Sequence, residues 1–167
     1  MALKDKFSND EWSKILEAPL LAGFAVTAAD PSGLIGTVQE SAAIAGSLES
    51  ALDDSGEGTL AHEISNAYKT SEGGSAARDG VKAVIKGKRL SDASAEAVER
   101  LGDTIDLVER VAPEQAAYFR NFLLDTANRT AKASTEGGFL GFGGEEVSDA
   151  ERKTLADLKS ALGLAAL

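Results

Sequence analysis

Along most of this chain apolar residues recur three and four apart, and nowhere do Val, Ile and Thr alternate with polar residues for long enough to make a strand. That spacing lines apolar side chains along one stripe of a helix, so it commits the chain to an all-α fold. Residues 90–112 carry the clearest case, with Val98, Leu101, Ile105, Val108 and Val111 in sequence. Proline, the strongest helix breaker, occurs only three times.

Local start signals divide the pattern into helices. Ser8 with Glu11 three residues on is a capping box, followed by a stripe of Trp12, Ile15, Leu16, Leu20, Phe24 and Ala28. Pro19 interrupts that stripe, so the first helix is expected to kink or break there. Asp30-Pro31 opens a second helix, with Leu34, Val38, Ala42, Ala45, Leu48 and Leu52 inward. A third runs from about Leu60 to Ser71 with Leu60, Ile64, Ala67 and Tyr68 inward, and Gly73-Gly74 reads as the linker after it. Ser75 can cap a short fourth helix bearing Val81, Val84 and Ile85, which fades at Gly87. Pro113 starts another helix directly after the long one, so those two should form an angled or antiparallel pair. A second capping box, Ser148 with Glu151, opens the last helix, which buries Leu155, Leu158 and Leu162.

The expected architecture is a single-domain bundle of six or seven helices. The 167 residues suit one domain, and a hydrophobic share of 43% suffices for a core. Residues 1–7 read as a short flexible lead-in, and 135–147 as a Gly/Phe-rich loop before the last helix. Small residues such as Ala18, Ala22, Ala25 and Ala29 repeat along one helix, which fits close helix packing.

Charge and composition exclude whole classes of function. The net charge of −10 disfavours nucleic acid, whose phosphates are neutralised by Lys and Arg. Without cysteine there is no disulfide framework, thiolate zinc site or cysteine nucleophile, and one histidine cannot build a multi-histidine metal centre. The most apolar stretch, residues 19–29, is far shorter than the ~20 residues of a membrane span. The chain therefore reads as cytoplasmic, with no membrane span. No catalytic residue is assigned.

Three segments remain as candidate sites. Residues 53–60 read Asp-Asp-Ser-Gly-Glu-Gly-Thr-Leu, which resembles the first two-thirds of an EF-hand calcium loop. Asp53, Ser55 and Glu57 would offer side-chain oxygens and Thr59 its carbonyl, with Gly58 at the sharp turn. The twelfth position, where a bidentate Glu belongs, is Ile64, and Glu63 falls one residue early. Calcium is thus the only cofactor with any sequence support. Arg78, Lys82 and Lys86 lie four apart on one helix face, continued by Lys88 and Arg89 and opposed only by Asp79. Such a row can dock an acidic partner, a phosphate ligand or an acidic patch on a second copy. Phe139 and Phe142 sit among glycines before the last helix and either pin that helix or form a partner-binding tip.

The junction Ala29-Asp30-Pro31-Ser32-Gly33 with Glu40, and Gly144 to Ser148 with Glu151, resemble the Asp-Gly…Glu junctions of the TerB-like helical proteins. Those proteins are linked to tellurite resistance and metal binding. Both junctions also read as ordinary helix starts, and no family is assigned on them. The expectation is a non-enzymatic helical protein acting through protein–protein contact, as a homo-oligomer or accessory subunit. The alternative is a metal-responsive protein with a degenerate calcium loop at 53–60.

Overall fold

The computed structural model describes residues 2–29, 44–50, 58–136 and 147–164, and all regular structure among them is helical. A 3₁₀ turn, Leu3–Lys6, precedes α1 (Asn9–Thr27). A helical segment over 44–50, here α2, is followed by α3 (Leu60–Tyr68), α4 (Ser71–Ile85), α5 (Leu90–Val111), α6 (Pro113–Glu136) and α7 (Asp149–Ala161). The expected all-α bundle is thus the observed fold.

α1 is the centre of the bundle, packed against α3, α4, α5, α6 and α7. Ser8 caps it as a full capping box: Ser8 N–H donates to the Glu11 carboxylate at 2.9 Å, and Glu11 N–H to Ser8 Oγ at 3.3 Å. Beyond Trp12 the helix is enclosed rather than striped. Ile15, Ala18, Leu21, Ala22, Ala25 and Val26 are buried, while Leu20 and Phe24 from the expected stripe are only half-buried. A helix apolar on most sides belongs inside a bundle, and the repeated alanines let its neighbours approach. Pro19 lies within this helix without splitting it. It removes one backbone donor, a loss that the packing of five neighbouring helices outweighs.

The lead-in is packed too. Leu3 and Phe7 are buried, and the Glu63 carboxylate of α3 accepts from Leu3 N–H at 2.7 Å and Lys4 N–H at 2.8 Å. In α2 the buried residues are Ile44, Ser47 and Leu48, whereas Ala45, expected inward, is exposed. Ile44 sets this register by reaching Gly23 of α1, where a Cβ would lie 2.6 Å from its Cδ1. Leu34, Val38, Ala42 and Leu52 lie outside the described residues.

The fourth helix starts earlier than its letters suggest. Thr70, not Ser75, is the cap, its Oγ1 accepting from Gly73 N–H at 3.1 Å, and Gly73-Gly74 form the first turn rather than a linker. The reason is tertiary: at Gly73 the α4 backbone abuts the Ala67 carbonyl of α3, with no room for a Cβ. Lys86 (φ −56°, ψ 115°) and Gly87 (φ +73°) then form a type II turn, closed by Lys88 N–H donating to the Ile85 carbonyl at 3.1 Å. α5 and α6 pack on each other across Ala112, as the Pro113 junction implies. Two buried hydroxyls tie helices together: Ser94 donates to the Ala25 carbonyl at 2.6 Å, joining α5 to the end of α1, and Ser65 to the Leu48 carbonyl at 2.9 Å, joining α3 to α2. α7 opens on the Ser148–Glu151 box and is held by Leu158 and Leu162, with Leu155 half-buried.

Candidate functional site

α4 turns Gly73, Ala77, Gly80 and Val84 toward the bundle, and that register decides what faces outward. Arg78, Lys82 and Lys86 are exposed in one row, and Ile85 beside them is 38% exposed, one of two large hydrophobics exposed among the described residues. Among the described residues Arg78 donates only to Ser75 Oγ, at 3.3 Å, and Lys82 faces Asp79 at 3.5 Å with both side chains about three-quarters exposed. A pair so wet neutralises little. Lys86 has no ion pair among the described residues. The rest of the basic stretch is spent: Lys88 pairs with Glu96, and Arg89 holds Asp92 through two hydrogen bonds of 2.9 and 3.2 Å. Those contacts lower the carboxyl pKa of both Glu96 and Asp92. The effective basic face is therefore the row from Arg78 to Lys86.

Next to it α5 shows the opposite sign. Glu99, Asp103 and Asp106, four and three apart, are exposed along its outer side, and Asp92, Glu96, Glu99 and Asp103 border an open groove.

Of the calcium-loop candidates, Asp53, Ser55 and Glu57 lie outside the described residues. Gly58 does take a positive φ, +99°, at the expected turn. Thr59 is the N-cap of α3: its Oγ1 accepts from His62 N–H at 3.2 Å and its carbonyl from Glu63 N–H at 3.1 Å. Glu63 is committed to the lead-in, as described above. Among the described residues no three His, Cys, Asp or Glu side chains are grouped to hold a metal ion. Phe139 and Phe142 also lie outside the described residues.

A second polar site escapes the spacing rules because its parts come from distant positions. Lys14, Glu17 and Leu21 of α1 and Arg100, Asp103 and Thr104 of α5 line a cleft of about 320 Å3. The Glu17 side chain, 17% exposed, lies between Arg100, whose Nη1 is 3.9 Å away, and the α4 backbone at Gly80, where any Cβ would collide with it. Burial raises the Glu17 pKa, and the charges of Arg100 and Lys14 only partly offset this. Beyond it, the Tyr68 hydroxyl donates to the Leu16 carbonyl; burial first, and the Glu17 charge second, push its pKa up. The one sequence signal for this site is a carboxylate between Leu16 and Ala18, on a helix otherwise apolar on most sides.

No helix among the described residues is long and apolar enough to cross a membrane. Comparison with family models, with curated proteins and with solved structures returned no match.

Proposed function

We propose that this protein acts through protein–protein contact, with the outer face of α4 as the docking surface and a second copy of the chain as its partner. The observation that carries this reading is the exposed row of Arg78, Lys82 and Lys86 beside Ile85, on a molecule whose net charge is −10. The complementary surface is on the same molecule: Glu99, Asp103 and Asp106 of α5. The basic and acidic faces are different patches, so each copy offers its α4 row to the α5 carboxylates of another, in a closed twofold pair or a head-to-tail chain. Ile85 supplies apolar area at the centre of the row, while the charges set orientation and encounter rate.

Sedimentation velocity across a concentration series tests this. Self-association is expected at about 50 mM salt and should be lost near 0.5 M, where the Debye length falls below about 5 Å. The double variant Lys82→Glu/Lys86→Glu should be monomeric, and mixing it with Glu99→Lys/Asp106→Lys should restore association. A wild-type protein that stays monomeric at low salt and high concentration overturns the proposal, as does association indifferent to both charge reversals.

A further inference from the structure

We propose that the cleft between α1 and α5 binds a small zwitterion, a free α-amino acid, with its carboxylate toward Lys14 and Arg100 and its ammonium on the Glu17 carboxylate. This site does not use the α4 face, and it shares only Asp103 with the acidic row of α5.

Glu17 accepts no hydrogen bond from any described residue, since 3.9 Å to Arg100 Nη1 is beyond hydrogen-bond reach. A carboxylate 17% exposed and without a protein donor takes its hydrogen bonds from water or from a ligand in the cleft. Three residues leave room for a donor to come from outside. Gly80, by lacking a side chain, lets Glu17 lie in the seam between α1 and α4. Leu21, 2% exposed, gives the cleft an apolar wall. Thr104 spends its hydroxyl hydrogen on the Arg100 carbonyl at 2.8 Å, so its oxygen lone pairs remain to accept.

The cationic side is held in place. Arg100 donates from Nε and Nη2 to Glu96 Oε1 at 3.2 and 2.9 Å, and Glu96 is in turn paired with Lys88. This fixes the guanidinium plane, while Nη1 has no hydrogen bond among the described residues and can meet a carboxylate. Lys14, exposed at the rim, has no ion pair among the described residues and can close over the same anion. Two cations and two carboxylates around one cleft suit a ligand carrying both charges. A lone anion would meet Glu17 and Asp103, and a lone cation would meet Lys14 and Arg100. The volume sits at the small end of ligand cavities, which suits a free amino acid.

The test is an amide-resolved NMR titration of the full chain at a concentration where it is monomeric. The probe is an equimolar mixture of the neutral L-amino acids, then each one separately. At least one should give saturable shifts at the amides of Lys14, Glu17, Arg100 and Thr104. Glu17→Gln and Arg100→Gln should each weaken it about tenfold or more, since each removes a charge-assisted hydrogen bond. Lys153→Gln, on α7, should leave it unchanged. Sodium acetate and methylammonium chloride, at matched ionic strength, present each half of the ligand alone. The proposal is overturned if no amino acid gives saturable shifts up to about 10 mM. It is equally overturned if either single ion reproduces the effect, or if Glu17→Gln, with its amide spectrum showing an intact fold, binds as tightly as wild type.

Discussion

Glu17 shows how one side chain can work against the fold that holds it. Arg100 and Lys14 attract its charge, but neither lies within hydrogen-bond reach, and desolvation outweighs both, so its pKa lies above the ordinary 4.5. A carboxyl whose pKa is raised on folding takes up protons more readily in the folded state than in the unfolded one. Stability from this group is therefore greatest below the unfolded value and falls as pH climbs toward and through the folded one. The groups facing Glu17 are Lys14 on its own helix, Arg100 and Asp103 on α5, and Tyr68 on α3. Glu17→Gln should accordingly raise the melting temperature at about pH 7, with the gain vanishing below about pH 4, where the wild-type carboxyl is already protonated. The readout is the difference between variant and wild type. The exposed carboxylates Glu11, Asp92, Glu96 and Glu114 have lowered pKa values and bend the overall profile the other way. A variant less stable than wild type at neutral pH would mean that the attraction of Arg100 outweighs the burial.

Between elements, the α3–α4 junction gives two neighbouring glycines opposite roles. A Cβ at Gly73 would overlap the Ala67 carbonyl, which cannot yield because it already accepts from Thr70 N–H at 2.9 Å and Thr70 Oγ1 at 2.7 Å. At Gly74 the nearest atom is the mobile Arg78 Nη1, at 3.4 Å. Gly73→Ala should destabilise by about 1–3 kcal/mol, as overpacked sites do. Gly74→Ala should instead gain up to about 1 kcal/mol of helix propensity. Urea denaturation of the pair checks this, and two effects of the same sign would refute the close-contact account. The same junction shows where sequence reading stops. The boxes at Ser8–Glu11 and Ser148–Glu151 and the Pro113 start were legible because their partners lie within one turn. Gly73-Gly74 read as a linker because the atom that requires a glycine belongs to another helix. Pro19 read as a kink or a break because nothing local shows that five helices enclose α1. Glu17 and Arg100 meet only once α5 docks on α1, so no spacing rule could have paired them, whereas the row from Arg78 to Lys86 lies along one helix and its C-cap and was visible at once.

Across the whole molecule, charge acts on folding and on association with opposite signs, and one variable separates them. The net charge of −10 repels itself in the folded state, a long-range cost that salt screens. Ion pairs oppose this, but most are exposed. Lys6–Glu114, Arg110–Glu11 and Lys153–Asp157 each have at least one side chain more than half exposed, so water screens most of their attraction. Several others join residues one turn apart on a single helix, where screening by salt costs the fold little. Repulsion should therefore win, and raising salt from about 20 to 300 mM should raise the melting temperature of the monomer. The contact between copies depends on attraction between the α4 row and the α5 carboxylates, so the same salt should dissolve it. Parallel scans of melting and sedimentation over one salt series should diverge, folding strengthening while association fades. If both weaken together, the ion pairs carry more of the fold than their exposure implies. If association survives the salt that stabilises the monomer, Ile85 and apolar burial hold the copies together, and the charged rows only orient them.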